Sequence, residues 1–393
     1  MIHRLKQDRS SRKNRGTYTV EAVSKACKVL QAFRHESESL RLRDLVARCN
    51  LNKSTVFRIL STMESAGLIE HFGSDRYLSR VRLASRQKFR LGFANSTHNS
   101  FFTEDVAQSL RQSAAAEGFD LLEFNNRCSA KIAIQNAELM IKARVDLAIE
   151  YQYHQEIAET ISGMFQGAGI PLVAITVPHP GAVFYGPNGY EVGRTAGKTL
   201  GKWAKQYWNS VVDQVLLLEI TMGGPVLHSR LAGVVVGLQE VLEGITDAQV
   251  IHLDGRGEFG HSLEAVRQYL RHSRARHVLI SSPFDGSVLG ALRAFEEAGR
   301  SSDCIAVGQG GTLDVRKELR RPHSRMIGTV ALFPETYGPG LIRAAVDILK
   351  YHQPPFAIFV KHSLLTPQNV DQYYPNDLLF ESGDVETVLL RSP

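Results

Sequence analysis

Apolar residues recur three or four positions apart at Val23, Cys27, Leu30 and Phe33. This spacing predicts a helix from Thr19 that ends in the polar run His35-Glu36-Ser37-Glu38-Ser39. A second, short helix is expected to end near Arg48, with a tight turn at Cys49-Asn50-Leu51. A third starts near Asn52, whose side chain can cap the free amides of its first turn. Val56, Ile59, Leu60 and Met63 fall on one face of that helix, and Gly67 stops it. Leu68 to Phe72 and Arg76 to Leu78 then alternate around Gly73-Ser74-Asp75, as a two-stranded hairpin does. Val23 and its periodic partners supply the hydrophobic backing, and Cys27 and Cys49 read as small core residues.

After residue 88 the pattern changes. Short apolar runs alternate with amphipathic stretches. Strands are expected at 89–94, 119–124, 145–149, 170–175, 215–220, 250–253, 277–280 and 304–307. Helices are expected between them, among them 104–117, 130–142 and 155–166. Strands this apolar, alternating with helices, belong to parallel sheets covered on both faces. The length exceeds one such sheet, so two lobes are expected. The fold class is therefore α/β, with a small helical domain ahead of a two-lobed one.

Charge divides along the same boundary. Residues 1–86 carry eighteen Lys and Arg against eight Asp and Glu, or +10, whereas the rest of the chain is at −4. A basic head on a mildly acidic body suggests that the head meets a polyanion. The third helix gives that idea residues: Lys53, Ser54, Thr55 and Arg58 lie opposite its apolar face with no acidic neighbour among them. A helix-turn-helix offers such an end, rich in short donors, acceptors and cations, to the major groove of double-stranded DNA, and Arg76 adds a cation on the hairpin.

The run Leu51 to Leu60, with Ala26-Cys27-Lys28-Val29-Leu30 and Gly67-Leu68-Ile69, resembles the IclR-type winged-helix DNA-binding domain over about residues 18–83. The chain from about Phe89 to Pro375 resembles type I periplasmic-binding-protein domains, as in ribose-binding protein and lac-repressor-like effector domains. The matching stretches are Asn99 to Phe102, Gly169 to Val173, Gly186 to Gly193, Ser229 to Gly233, Leu289 to Arg293, Leu365 to Asn369 and Tyr373 to Pro375. Their order and spacing carry the resemblance more than any one of them. Residues 1–16, polar and basic with no apolar period, read as a disordered arm and residues 84–88 as a linker, and the resemblance implies the winged helix at 17–83 and a sensing domain at 89–393. Lobe 1 would comprise about 89–188 and 333–360, and lobe 2 about 189–332 and 361–393, with crossings near Asn188, Phe333 and Lys361.

The resemblance also implies a ligand between the lobes, at the carboxyl ends of strands. Asn99, Phe101 and Phe102 match the first-lobe ligand loop, Arg230 an arginine reaching in from the second lobe, and Phe284 or Asp285 a common Asn-Asp pair. Gln309 falls where an aspartate is frequent. Thr176-Val177 replaces the Asp-Arg of many sugar binders, and Leu332 replaces a glutamine. Gln152 and Tyr185 are candidates to compensate for these losses. The expected effector is a small polar metabolite, a sugar or a relative.

Catalytic chemistry is not expected. Gly308-Gln309-Gly310-Gly311 lacks the Lys-Ser or Lys-Thr of a P-loop, and neither a Gly-x-Ser-x-Gly elbow nor a His-Glu-x-x-His pair is present. Four dispersed cysteines, none in a Cys-x-x-Cys pair, argue against zinc and disulfides, so no metal or cofactor is expected. There is no apolar leader and no run of about eighteen apolar residues, so export and membrane spanning are not expected and a reducing cytoplasm fits. The expectation is a cytoplasmic, homodimeric, ligand-responsive DNA-binding regulator, with a solute-binding transport component as the alternative.

Overall fold

The computed structural model describes residues 20–33, 38–73, 75–80, 89–350 and 355–377. The basic arm at 1–16 and the linker at 84–88 lie outside them. The chain divides into two compact units, residues 1–86 with 350–352, and residues 87–349 with 353–393.

The first unit is built on α1 (Glu21–Gln31), β1 (Ser39–Arg41), α2 (Leu42–Cys49), α3 (Lys53–Ser65), β2 (Ile69–Phe72) and β3 (Arg76–Ser79). Asn50 takes the left-handed conformation (φ 52°, ψ 44°) and ends α2. Asn52 Oδ1 accepts from the Thr55 amide at 2.8 Å and starts α3. Gly67, at φ 71°, turns the chain out of α3, while the Leu68 amide donates to the Met63 carbonyl at 2.8 Å. Val56, Leu60 and Met63 pack with Leu45, Cys49, Val29 and Phe33 in one core. The hairpin β2–β3 is antiparallel, and β1 adds a third strand along β3 that the polar run before it conceals in the sequence. Arg48 fastens this strand to the helices, donating to Glu38 at 2.6 Å and to the Ala32 carbonyl at 2.9 Å.

One face is corrected. Val23 is 58% exposed and Cys27 is exposed. The inward face is Ala26, Val29, Leu30 and Phe33, so Leu30 and Phe33 face the core as expected while Ala26 and Val29 take the places of Val23 and Cys27. Both sets have helical spacing, and packing against α2 and α3 selects the second.

The second unit has two six-stranded sheets. Lobe 1 starts with β4 (Arg90–Asn95), α4 (Phe101–Ala116), β5 (Asp120–Asn125), α5 (Ala130–Lys142), β6 (Leu147–Tyr151), α6 (Ala158–Gly167), β7 (Leu172–Ile175) and β8 (Val183–Pro187). The chain then enters the other lobe through α7 (Gly189–Tyr207), β9 (Gln214–Glu219), α8 (Gly224–Gln239), β10 (Val250–Asp254), α9 (Phe259–His272) and β11 (Val278–Ser281). It continues with α10 (Asp285–Glu297), β12 (Cys304–Gly310), α11 (Leu313–Arg320) and β13 (Met326–Ala331). After β13, α12 (Tyr337–Leu349) and β14 (Ala357–Val360) join the first lobe, and β15 (Ser363–Leu365) and α13 (Val370–Tyr373) join the second.

The strand orders are β14-β8-β7-β6-β4-β5 and β10-β9-β11-β12-β13-β15, parallel except for β15 against β13. In each lobe the first strand has its successors on opposite sides, which opens a crevice at its carboxyl end. Helices cover both faces, which is why the strands read as unbroken apolar runs. On β9, Leu216 and Leu218 enter one core and Val215 and Leu217 the other. On β6, Leu147, Ile149 and Tyr151 face α4 and α12, while Ala148 faces the core of α5 and α6. The sequence pattern missed β8, whose Val183–Pro187 is interrupted by Gly186, and it placed the start of α4 three residues late.

Candidate ligand cleft and nucleic-acid interface

In the first unit, α3 presents Lys53, Ser54 and Arg58 to solvent at its amino-terminal half, with Thr55 half-buried. Ser54 Oγ donates to Asn52 Oδ1 at 3.1 Å, so the cap also orients the first exposed hydroxyl. The first turn holds no acidic residue, and neither Lys53 nor Arg58 enters an ion pair among the described residues. Together they form a cationic end on a helix whose opposite face is locked in the core. Arg76 is not brought to this cluster by any hydrogen bond. Its guanidinium donates to Ser39 Oγ at 3.0 Å, tying β3 to β1.

In the second unit, a cavity of about 1000 Å³ lies between the lobes at the carboxyl ends of their strands. Asn99, Phe101, Phe102 and Thr176 line it from lobe 1, and Arg230, Phe284, Asp285 and Gln309 from lobe 2. Asn99 and Phe101 are exposed at the mouth, whereas Thr176, Arg230, Asp285 and Gln309 are buried. Leu332 lines the cavity too.

Tyrosines with no counterpart among the sequence-predicted residues form much of the wall. Tyr151 and Tyr153, at and just beyond the end of β6, place their hydroxyls 2.8 Å apart, and burial pushes both hydroxyl pKa values up. Tyr337 meets the edge of Phe102, with ring centroids 5.9 Å apart. Tyr153 reaches across the cleft to Phe284, edge to face at 5.5 Å. Aromatic faces and protonated hydroxyls together suit a ligand with both C–H surface and hydroxyl groups. The rule that open parallel sheets bind ligands beyond their strands' carboxyl ends points to the residues after β6, and applied there it would have found the tyrosines.

Two candidates do not line the cavity. Gln152 alternates with Tyr151 and Tyr153, so its side chain turns away from them. Its Oε1 accepts from the His154 amide, and its Nε2 lies 3.4 Å from His179 Nε2. Tyr185 is buried against Tyr337, whose carbonyl its hydroxyl approaches at 3.4 Å. The compensation expected from these two residues is therefore absent from the cleft wall.

The buried polar groups differ in how they are held. Asp285 Oδ2 accepts from the Gly311 amide at 2.6 Å and from the Thr312 amide at 2.9 Å. Its Oδ1 accepts from Thr329 Oγ1 at 2.7 Å. Asp285 thus braces the turn after β12 against β13, and burial still raises its pKa. Arg230, 5% exposed, donates from Nη1 to the Pro283 carbonyl at 3.2 Å, and burial lowers its pKa. Both polar atoms of the Gln309 side chain are buried without a hydrogen-bond partner. A buried amide left unpaired costs about 1–3 kcal/mol, which a ligand supplying both a donor and an acceptor would recover.

Among the described residues no group of three or more His, Cys, Asp or Glu side chains is placed to hold a metal ion. No helix among them is long and apolar enough to cross a membrane.

Comparison with known proteins finds two matching family models. Residues 91–353 match the periplasmic binding protein domain, and residues 22–71 match the IclR helix-turn-helix domain. Similar solved structures include an ABC transporter solute binding protein from Bacillus halodurans C-125 with bound myo-inositol, at 18% identity and TM-score 0.63, covering 73% of this chain and 98% of that one. Another, from Actinobacillus succinogenes 130z with bound D-allose, has 16% identity and TM-score 0.63, covering 73% of this chain and 100% of that one. The arabinose transporter component from Shewanella sp. ANA-3, bound to α- and β-L-arabinofuranose, has 17% identity and TM-score 0.64, covering 76% and 98%. At these identities the likeness shows the fold. No curated protein matches the chain in sequence.

Proposed function

The chain belongs to the periplasmic binding protein domain family and carries an IclR-type helix-turn-helix domain, and from that premise we propose that it is a transcriptional regulator whose affinity for operator DNA responds to a sugar or close relative held between the lobes. The observation that carries this reading is one chain holding both a cationic helix end and a cleft of aromatic walls with buried, unpartnered polar groups. Each feature alone is a binding surface. Joined in one polypeptide they form a sensor. The activity is binding without turnover, in the cytoplasm. A solute-binding transport component is not favoured, because it has no use for a DNA-binding head.

In this reading Arg58 reaches a base edge in the major groove, and Lys53 contacts a phosphate. Ser54 and Thr55 supply short hydrogen-bonding groups beside them, and Arg76 steadies the hairpin that flanks the backbone. A single winged helix covers few base pairs, so the regulator acts as a homodimer on inverted half-sites about 10 bp apart or a multiple of it. In the cleft, Phe102 and Phe284 offer aromatic faces, Arg230 and Gln309 supply polar contacts, Asn99 and Phe101 guard the mouth, and Thr176 and Asp285 shape the floor.

Duplexes selected by the full chain from a randomised pool supply the operator for the test. Arg58→Ala should weaken that operator by about 1–3 kcal/mol and relax preference at one position. Lys53→Ala should weaken all sequences alike and lower the salt slope by roughly one. A double variant that binds as tightly as the wild type would show that this face does not meet DNA.

A further inference from the structure

Arginine has five N–H donors and no acceptor. Among the described residues Arg230 commits one, to the Pro283 carbonyl at 3.2 Å, and no carboxylate forms an ion pair with it. It is 5% exposed and lines the cleft. A buried guanidinium is normally paired, because taking its charge from water is costly.

The buried carboxylate of the cleft does not fill this role. Asp285 is occupied by the amides of Gly311 and Thr312 and the hydroxyls of Thr312 and Thr329. The other two lining carboxylates, Glu258 and Asp314, are exposed at the rim, and Glu258 pairs with His261 at 2.8 Å. Two further arginines, Arg127 from lobe 1 and Arg256 from lobe 2, stand exposed in the cavity lining and offset those rim carboxylates. The deep part of the cavity therefore offers a guanidinium with free N–H donors and no ion pair, facing a carboxylate whose oxygens are already taken, next to tyrosine hydroxyls and an unpartnered amide.

We propose that the effector is an anionic monosaccharide, a sugar acid or a sugar phosphate, whose charged group is seated on Arg230. The inference rests on the sugar-sensing reading above and sharpens it. A carboxylate or phosphate oxygen pair matches the planar fork of a guanidinium and takes two of its free N–H donors at once. Gln309 then pairs with ring or chain hydroxyls through both ends of its amide. A neutral sugar offers the guanidinium no paired anionic oxygens and binds more weakly.

The test is a thermal-shift and calorimetric panel on the full chain, using matched pairs. Galactose is set against galacturonate and galactose 6-phosphate, and glucose against glucuronate and glucose 6-phosphate. The expected result is stabilisation by an acid or phosphate member, with its neutral partner at least tenfold weaker. The acid and phosphate arms separate the two sources of the anion. Arg230→Gln should erase that tenfold preference, and Arg230→Lys, which keeps the charge but not the fork, should retain part of it. Equal or tighter binding of the neutral partner overturns the inference while leaving sugar sensing intact. Binding of no member of any pair overturns the inference and the sugar-sensing reading together. An acid preference that survives Arg230→Gln in a folded variant overturns the assignment to Arg230.

Discussion

Arg230 shows what a buried side chain costs when it waits for a ligand. Its charge is desolvated for the sake of one neutral acceptor. Removing an unpaired buried charge removes its desolvation penalty, on the order of several kcal/mol per ion, against the loss of about one hydrogen bond to a neutral acceptor. Arg230→Met should therefore leave the ligand-free protein as stable as the wild type, or more so, in urea titrations, while losing ligand stabilisation. A loss of several kcal/mol without ligand would mean that Arg230 holds the lobe together instead. Glu150 is a different case. It is wholly buried at the end of β6, where Oε1 accepts from Asn126 at 2.7 Å and Oε2 has no partner. Burial raises its pKa from the ordinary 4.5 to about 8. Between those values the folded protein holds a proton that the unfolded chain has shed, so this group's contribution to stability falls as pH rises from about 4.5 and is lost above about 8. Glu150→Gln removes the titration. Its melting temperature relative to wild type should rise between pH 5 and pH 8, and a constant difference would contradict the assignment.

At the scale of elements, the junction of α7 and α8 joins the lobe crossing to the ligand site. The helices meet backbone to backbone: a Cβ built at Gly193 would overlap the Arg230 carbonyl, one at Gly197 the Val234 carbonyl, and one at Gly233 the Tyr190 carbonyl. Because α7 starts just after β8 leaves lobe 1, the helix leaving the crossing lies directly on the turn that carries Arg230. Gly193→Ala should cost about 1–3 kcal/mol through overpacking and should also weaken ligand binding by displacing that turn. Gly163→Ala in α6, where an added Cβ meets nothing within 4 Å, should be neutral or stabilise by up to about 1 kcal/mol. Chemical denaturation of both variants checks the contrast, and equal effects would contradict it. Elements of this kind are only partly legible in the sequence. The inward face of α3 is readable, because Val56, Leu60 and Met63 recur at helical spacing and Lys53, Ser54 and Arg58 lie on the other side, even though Phe57 is also exposed there. The face of α1 is not, since Val23 and Cys27 compete with Ala26 and Val29 at the same spacing, and packing partners distant in sequence decide between them. Gln152 misleads for a similar reason. Its chemistry suits a ligand, but strand alternation gives the cleft to Tyr151 and Tyr153.

In the whole molecule, the proposed regulation makes the two units parts of one equilibrium. The lobes already touch through Tyr153 and Phe284, and a ligand bound between them favours the conformation in which its contacts to both are made. If that conformation differs in its affinity for operator DNA, linkage requires DNA to change ligand affinity by the same factor as ligand changes DNA affinity. The most direct measurement is a titration of the full chain with its selected operator, with and without saturating effector, paired with an effector titration with and without operator. Ligand-responsive regulation predicts equal shifts in the two directions, about 5- to 150-fold, and loss of both in Arg230→Ala with ligand-free DNA binding nearly unchanged. Identical DNA affinity with and without a ligand that demonstrably fills the cleft would contradict it.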